Sequence, residues 1–355
     1  MSNVVWVDQV GSIARSRVLF DTNIWIMIEG FNEGGYCIRM TIGNEISKTG
    51  VAVAHTKGWE STHGDRTDLP VLKSDVDFEE GVRVDKPMQD VHFSAAMNVK
   101  MGGIKYEALM HGVFDGHGRQ GEKASAWMRD ETPRRVQHRL QQFNPVGWDD
   151  EDVYAAFKVA MPDVSRSFHL KTGGSTANVS IAFGNDLWVL NVGDSELLIV
   201  KPDGYTQANE AANVSKKGNR FSKSIAQRGA YVDYDNRIEG RLNVARAMGD
   251  NMYKGRISPR PKITRFVRPD DEQWYLVHMT DGMTCAASPK QVAGFVGSRV
   301  REGASLEKIA VELVAAAALA GSDDNITVQI VPFPDDPAKV SQAGPVEQAE
   351  IQPAA

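Results

Sequence analysis

Apolar residues recur along this chain with two different periods, and the changes between them mark out its elements. Residues 23–28 and 36–42 are short apolar runs flanking Gly30, Gly34 and Gly35, which predicts a hairpin. The stretch from about Thr56 to Val84 is polar and rich in Gly and Asp, and predicts an irregular surface excursion. A strand is expected from about Ala108 to Phe114, ending at Asp115. Two helices follow, one over roughly Gly121 to Gln142. The other starts near Asp149-Asp150-Glu151, acids suited to a helix N-terminus. Its apolar positions Val153, Phe157, Met161, Val164 and Phe168 fall at helical spacing, with Pro162 expected to kink or split it.

Period two takes over at Val179, Ile181 and Phe183, which alternate with Ser180 and Ala182. Leu187–Val192 and Leu197–Val200 are two more short runs around Gly193-Asp194, read as a tight hairpin turn. Residues 205–240 are polar and carry no assignable pattern. Trp274–Met279 is nearly continuous in apolar residues, so both its faces should be covered. Helices are expected at about 289–302 and 305–320, then a last strand at Ile326–Val331. Beyond Pro332 the chain is rich in Pro, Ala and Gln, which predicts a disordered tail. Strands, two helices, strands, two helices and a strand predict an α+β sandwich of antiparallel sheets with helices packed outside. A doubly wound parallel sheet fits less well.

Composition narrows the class without choosing a function. At 355 residues, 42% hydrophobic and 24% charged, the chain is ordinary for a globular protein that can bury a sizeable core. Its net charge is 40 − 46 = −6 and it has no dense basic tract, which argues against nucleic acid as a partner. Two cysteines, Cys37 and Cys285, are too few for a disulfide framework and suggest a reducing compartment. The N-terminus lacks the pattern of a secretory signal. The longest apolar stretch, Val311–Ala320, contains Glu312 and is too short to span a bilayer. A cytoplasmic protein without a membrane partner is the expectation, and a monomer.

The chemistry lies in four aspartates at matching places in this pattern. Asp115 follows a strand, Asp194 sits in a turn, Asp281 follows a strand and Asp324 precedes one. Because antiparallel neighbours place the end of one strand beside the start of the next, Asp281 and Asp324 should meet at one rim. Crowded carboxylates raise each other's pKa unless a cation neutralises them. Oxygen ligands on Gly-punctuated turns suit magnesium or manganese, not zinc. Any one Asp is more simply a turn residue or helix cap. Four on matched strand ends outweigh that reading if the fold brings them together.

Six ordered segments carry a resemblance. They are Val113-Phe-Asp-Gly-His-Gly118, Thr172-Gly-Gly-Ser-Thr-Ala177, Val192-Gly-Asp-Ser195, Leu242-Asn-Val-Ala-Arg-Ala-Met-Gly-Asp250, Thr280-Asp-Gly282 and Ser322-Asp-Asp-Asn-Ile-Thr327. Together they resemble the motifs of metal-dependent PP2C-type (PPM) protein serine/threonine phosphatases, over about residues 85–331. The resemblance implies a central β-sandwich of two antiparallel sheets flanked by pairs of antiparallel helices, with two Mn2+ or Mg2+ ions in the cleft at one end. It implies that Asp115, Asp281 and Asp324 hold the metals, with the Gly116 carbonyl as a further ligand. Asp90 resembles the acid of the family's first motif, and Asp194 matches a position tied to a third, weaker metal. The implied reaction is attack on phosphoserine or phosphothreonine of a protein by a metal-bridging hydroxide, with His117 protonating the departing oxygen.

Some positions depart from the family pattern. Gln89-Asp90 stands where the family often has Glu-Asp, which removes a charge beside the metals. Arg83 is the preferred phosphate-binding residue, seven positions before Asp90; Arg66 and Lys86 are alternatives. Met283-Thr-Cys285 replaces a Trp-Asp pair; Cys285 is expected as a packed thiol, not a nucleophile. Arg246 and Asp250 are expected to tie the sheet rim together, Asp250 also being a candidate for outer support. The division expected is an N-terminal extension over 1–55, a phosphatase domain over 56–333 and the tail over 334–355. Two other functions stay open on these residues: a catalytically inactive binding module of the same fold, and a small-molecule phosphohydrolase.

Overall fold

The computed structural model describes residues 87–333 apart from 102–103, 143–148, 210, 213–219, 235 and 323; before residue 87 it describes the strands at 3–7, 13–20, 25–32, 37–46, 52–56, 59–60 and 84–85. The chain opens with β1 (Asn3–Val7), β2 (Ile13–Phe20), β3 (Trp25–Asn32), β4 (Cys37–Ile46) and β5 (Ala52–Thr56). Short strands β6 (Trp59–Glu60) and β7 (Val84–Asp85) pair with each other. The long strands β8 (Asp90–Met101) and β9 (Ile104–His117) lead into helices α1 (Gly121–Gln142) and α2 (Asp150–Ser167). Next come β10 (Gly174–Ser175), β11 (Ala177–Phe183), β12 (Asp186–Val192), β13 (Glu196–Lys201) and β14 (Gly204–Gln207). Helix α3 (Arg220–Gln227), β15 (Met248–Gly249), β16 (Lys262–Val267) and β17 (Trp274–Met279) follow. The described chain closes with α4 (Asp281–Thr284), α5 (Pro289–Arg301), α6 (Leu306–Leu319) and β18 (Ile326–Phe333).

Two large antiparallel sheets form the centre. One runs β1-β2-β3-β4-β5-β18-β17-β13-β14, and the other runs β15-β10-β9-β11-β12-β16 with β8 also paired to β9. The predicted N-terminal hairpin is β3 with β4, inside a meander of β1 to β4 that continues the first sheet past β5. Helices α1 and α2 cover the outer face of the second sheet. There Met128, Leu140, Phe157 and Met161 pack on Met110, Phe114, Val179 and Ile181. Helices α5 and α6 cover the first sheet, where Val296, Ile309 and Val314 meet Val277, Val328 and Ile330. Leu187, Val189, Leu197, Ile199 and Leu276 lie in a separate cluster joining strands of both sheets. Every residue of β11 is buried, so its two alternating faces are both covered.

Three sequence expectations are corrected. Pro162 does not split helix α2, which continues through it, and Pro162 is itself buried with Phe157, Met161 and Val164. Interior proline costs about 3 kcal/mol, and the buried stripe offsets it, helped by the Asp149 carboxylate accepting from the Asp152 N–H at 2.9 Å. The Gly193-Asp194 turn is not a hairpin: β12 and β13 belong to different sheets, so the turn arches across the end of the sandwich. Cys285 is exposed, not packed. It follows directly on α4, whose side toward the strand rim is filled by Gly282 and Met283. The polar excursion over 61–83 and the tail from 334 onward lie outside the described residues.

Candidate active site

The site is assembled at one rim of the sandwich from strand ends that the sheet registers bring together. Asp90 begins β8 directly opposite Asp115 on β9. Asp281 follows β17 and Asp324 precedes β18, and these strands pair antiparallel with Met279 opposite Val328, so both acids lie at the same rim. Asp194 arrives on the arch between the sheets, where Gly193 takes a φ of 103° that favours glycine.

Backbone bonds and close approaches then fix these ends. The Gln89 N–H donates to Asn325 Oδ1 at 2.9 Å, and the Gln89 carbonyl accepts from the Gly116 N–H at 3.1 Å. Gly116 and Gly282 both lack room for a side chain: a Cβ would collide with the Gly121 carbonyl in one case and the Asn325 carbonyl in the other. The Thr280 hydroxyl donates to Asp90 Oδ2 at 2.7 Å and accepts from the Thr327 N–H at 3.0 Å. The Thr176 hydroxyl accepts from the Asp115 N–H at 3.0 Å and pairs with Ser195 Oγ at 2.7 Å.

A buried polar network stands behind the arch. Asn178 donates to Asn191 Oδ1 at 2.9 Å and to Asn209 Oδ1 at 3.0 Å. These two in turn donate to the carbonyls of Gly193 and Ser195, each at 3.0 Å. His278 Nδ1 lies 2.7 Å from Asn178 Oδ1, and its Nε2 lies 2.9 Å from Ser180 Oγ. An amide oxygen only accepts, so Nδ1 carries the proton and Nε2 accepts from the serine. Burial lowers the pKa of both His278 and His111 to about 3, His111 adding to the effect on His278. Neutral rings therefore support the site from within.

Carboxylate oxygens of Asp115, Asp194 and Asp281 all lie within 4.8 Å of one another. The Asp115 carboxyl is pushed well above the usual range, first by burial and then by the charges of Asp281, Asp90, Asp324 and Asp194. Asp281 is raised likewise by burial, Asp194 and Asp324, against a hydrogen bond from Asp115 that lowers it. Asp281 Oδ1 is buried without a hydrogen-bond partner among the described residues. An orphaned carboxylate oxygen inside a ring of acids is what a hard divalent cation would satisfy, and an all-oxygen donor set fits Mg2+ or Mn2+.

The structure thus brings Asp90, Asp115, Gly116, His117, Asp194, Asp281 and Asp324 to one rim. Asp194 stands in the tightest group, whereas Asp90 and Asp324 lie outside that 4.8 Å set. Arg83, Arg66 and Lys86 fall outside the described residues. Gln89 does not offer its amide to the acids: Nε2 donates to the Gly118 carbonyl at 3.0 Å, bracing the turn after His117. Thr280 and Asn325 were not singled out from the sequence. Their only signal was a polar residue directly beside each aspartate at a strand end. His117 Nε2 lies 2.6 Å from Asp250 Oδ2. Burial alone would lower the His117 pKa, but the Asp250 charge and hydrogen bond, with Asp194 and Asp281, raise it overall.

Comparison with known proteins agrees with this geometry. The family model described as protein phosphatase 2C matches residues 74–326. The chain belongs to the protein phosphatase 2C family, a family of serine/threonine phosphatases. A probable protein phosphatase 1N of Mus musculus is 27% identical over 315 residues, 85% of this chain and 74% of that protein. The protein phosphatase 2C homolog 3 of Schizosaccharomyces pombe is 29% identical over 265 residues, 69% of this chain but 61% of its own length. Among solved structures, a serine-threonine phosphatase 2C from Toxoplasma gondii superposes with a TM-score of 0.52 at 17% identity, covering 69% of this chain and 99% of that one. A C. elegans sex determining protein gives 0.57 at 18%, covering 84% and 68%. At such identities these two show the shared fold. Among the described residues, no helix is long and apolar enough to cross a membrane.

Proposed function

We propose that this protein is a metal-dependent phosphatase that hydrolyses phosphoserine and phosphothreonine in proteins. The observation that carries the reading is the ring of Asp115, Asp194 and Asp281 within 4.8 Å, with one buried carboxylate oxygen left unbonded. Asp115, Asp194 and Asp281 would hold divalent cations, Asp90 and Asp324 closing the ring, with the Gly116 carbonyl as a further oxygen. We assign two Mn2+ or Mg2+ ions to this rim, with a weaker third at Asp194. The chemistry a bound cation supplies is Lewis acidity, which acidifies water and offsets charge on phosphoryl oxygens. The protein's own part is to hold the acids rigidly through Thr176, Thr280 and Asn325, and to present His117 to the departing oxygen. Arg83 remains our assignment for the phosphate on sequence grounds.

The test is hydrolysis of a phosphothreonine peptide with Mn2+ and with chelator. Turnover should require the metal and fall at least about a hundredfold in Asp115→Asn and in Asp281→Asn, the scale of a disrupted metal centre. Undiminished turnover in both variants would remove the carboxylate ring from the reaction. A folded protein inactive with every divalent metal would favour a binding module instead.

A further inference from the structure

We propose that Asp250 is a positioning residue for His117: it fixes the ring through Nε2, so that Nδ1 is the atom that delivers the proton to the leaving oxygen. The inference rests on the phosphatase reading and adds which nitrogen works and what orients it.

The short strands β10 and β15, with the end of β9, place the pair. Gly174 of β10 stands opposite Gly249 of β15 on one side and His117 of β9 on the other. The row Gly249–Gly174–His117 therefore carries the next residue, Asp250, to the imidazole. Asp250 is 5% exposed and takes a left-handed backbone with φ 45°, unusual outside glycine. That conformation is held by its own N–H donating to the Gly173 carbonyl at 2.9 Å and by the Tyr253 N–H donating to its carbonyl at 2.7 Å. A residue held in this sparsely populated region points to a geometry the surrounding fold enforces.

The result is the 2.6 Å contact between Asp250 Oδ2 and His117 Nε2. A Cβ on Gly174 would collide with both atoms, so bare backbone lies against this bond. A carboxylate only accepts, so Nε2 carries a hydrogen that Asp250 retains. Among the described residues none is seen to bond Nδ1, which is the nitrogen left to face a substrate. As the bond from phosphorus to the seryl or threonyl oxygen breaks, that oxygen takes the electron pair and the Nδ1 proton. The ring is left neutral, still donating through Nε2–H. Water gives its oxygen to phosphorus, and the proton it loses restores Nδ1.

The experiment compares two leaving groups. A phosphothreonine peptide leaves as a basic alkoxide and needs the proton, whereas p-nitrophenyl phosphate leaves as a stable phenolate. Asp250→Asn keeps the shape and tolerates the left-handed backbone. It should lower kcat on the peptide about a hundredfold and on the aryl ester only about threefold. His117→Asn should show the same split, and the double variant should be no worse than His117→Asn alone. Equal losses on both esters, or additive losses in the double variant, would overturn the proposal. Long-range 1H–15N spectra of the metal-free wild type give a separate answer that needs no turnover. A proton on Nε2 that shifts in Asp250→Asn is expected, and an unprotonated Nε2 would overturn the assignment even if the protein is an active phosphatase. Wild type inactive on both esters would count against the phosphatase reading, with the spectra still deciding the pairing.

Discussion

Gln89 shows how much one side chain's direction matters at this rim. Its place beside Asp90 suggested a weakened metal ligand, yet its amide turns away and donates to the Gly118 carbonyl at 3.0 Å. A carboxylate there would set oxygen against oxygen on a residue that is 8% exposed. Gln89→Glu should therefore cost about 1–3 kcal/mol of stability, the range for a buried polar group left without its partner. Denaturant unfolding of the metal-free protein measures this, and an unchanged midpoint would show that the bond contributes nothing. Residue identity alone could not reveal it, because Gln and Glu occupy nearly the same volume. The fold decides which carbonyl the side chain reaches. Asp115 and Asp281 were legible for the opposite reason: each stands within two positions of the end of an apolar run, which places it near a strand end.

At the scale of elements, the helices were read most closely because their signals are local. Helix α5 begins where Ser288 and Gln291 form a reciprocal capping box, and α6 begins at Ser305, whose hydroxyl accepts from the Lys308 N–H. Ser288→Ala should lower stability by about 1 kcal/mol, a shift of roughly 2–4 °C in Tm for a domain of this size; no shift in a thermal melt would mean that the end of α5 frays freely. Strand β8 is not among the elements expected from the sequence, although Val91, Phe93, Ala95, Met97 and Val99 alternate with His92, Ser94 and Asn98 as a half-buried strand does, and Pro87 precedes them. Its partner β9 was foreseen only from Ala108 onward, and pairing with β8 extends it to Ile104. In sequence the arch at Gly193–Ser195 is indistinguishable from a hairpin, because a glycine turn between two apolar runs looks the same whether the strands pair or part.

Across the whole molecule, the interior is apolar around Leu187, Leu197 and Leu276 and polar behind the acids, where His278, Asn178, Asn191 and Asn209 are all buried. This placement ties stability to pH. The unfolded chain protonates its histidines near 6.5, while His111 and His278 resist until about 3. Their contribution is complete above pH 6.5 and is lost as pH falls below it, by about 2 kcal/mol per histidine between 6.5 and 5. The raised Asp115 and Asp281 act in the opposite sense, so wild type should be compared with His278→Gln across that range by denaturant unfolding. The variant should lose distinctly less stability on acidification; parallel curves would mean that His278 is not held neutral. By itself the sequence determined the family, the helices and the aspartates at strand ends, because these depend on residue type, local period and order along the chain. Only the tertiary structure decided which carboxylates crowd together, that His117 leans on Asp250, and that polar side chains are buried behind the acids. The His117–Asp250 and His278–Asn178 contacts join residues 133 and 100 positions apart, and such partners meet only once the strands have paired in register.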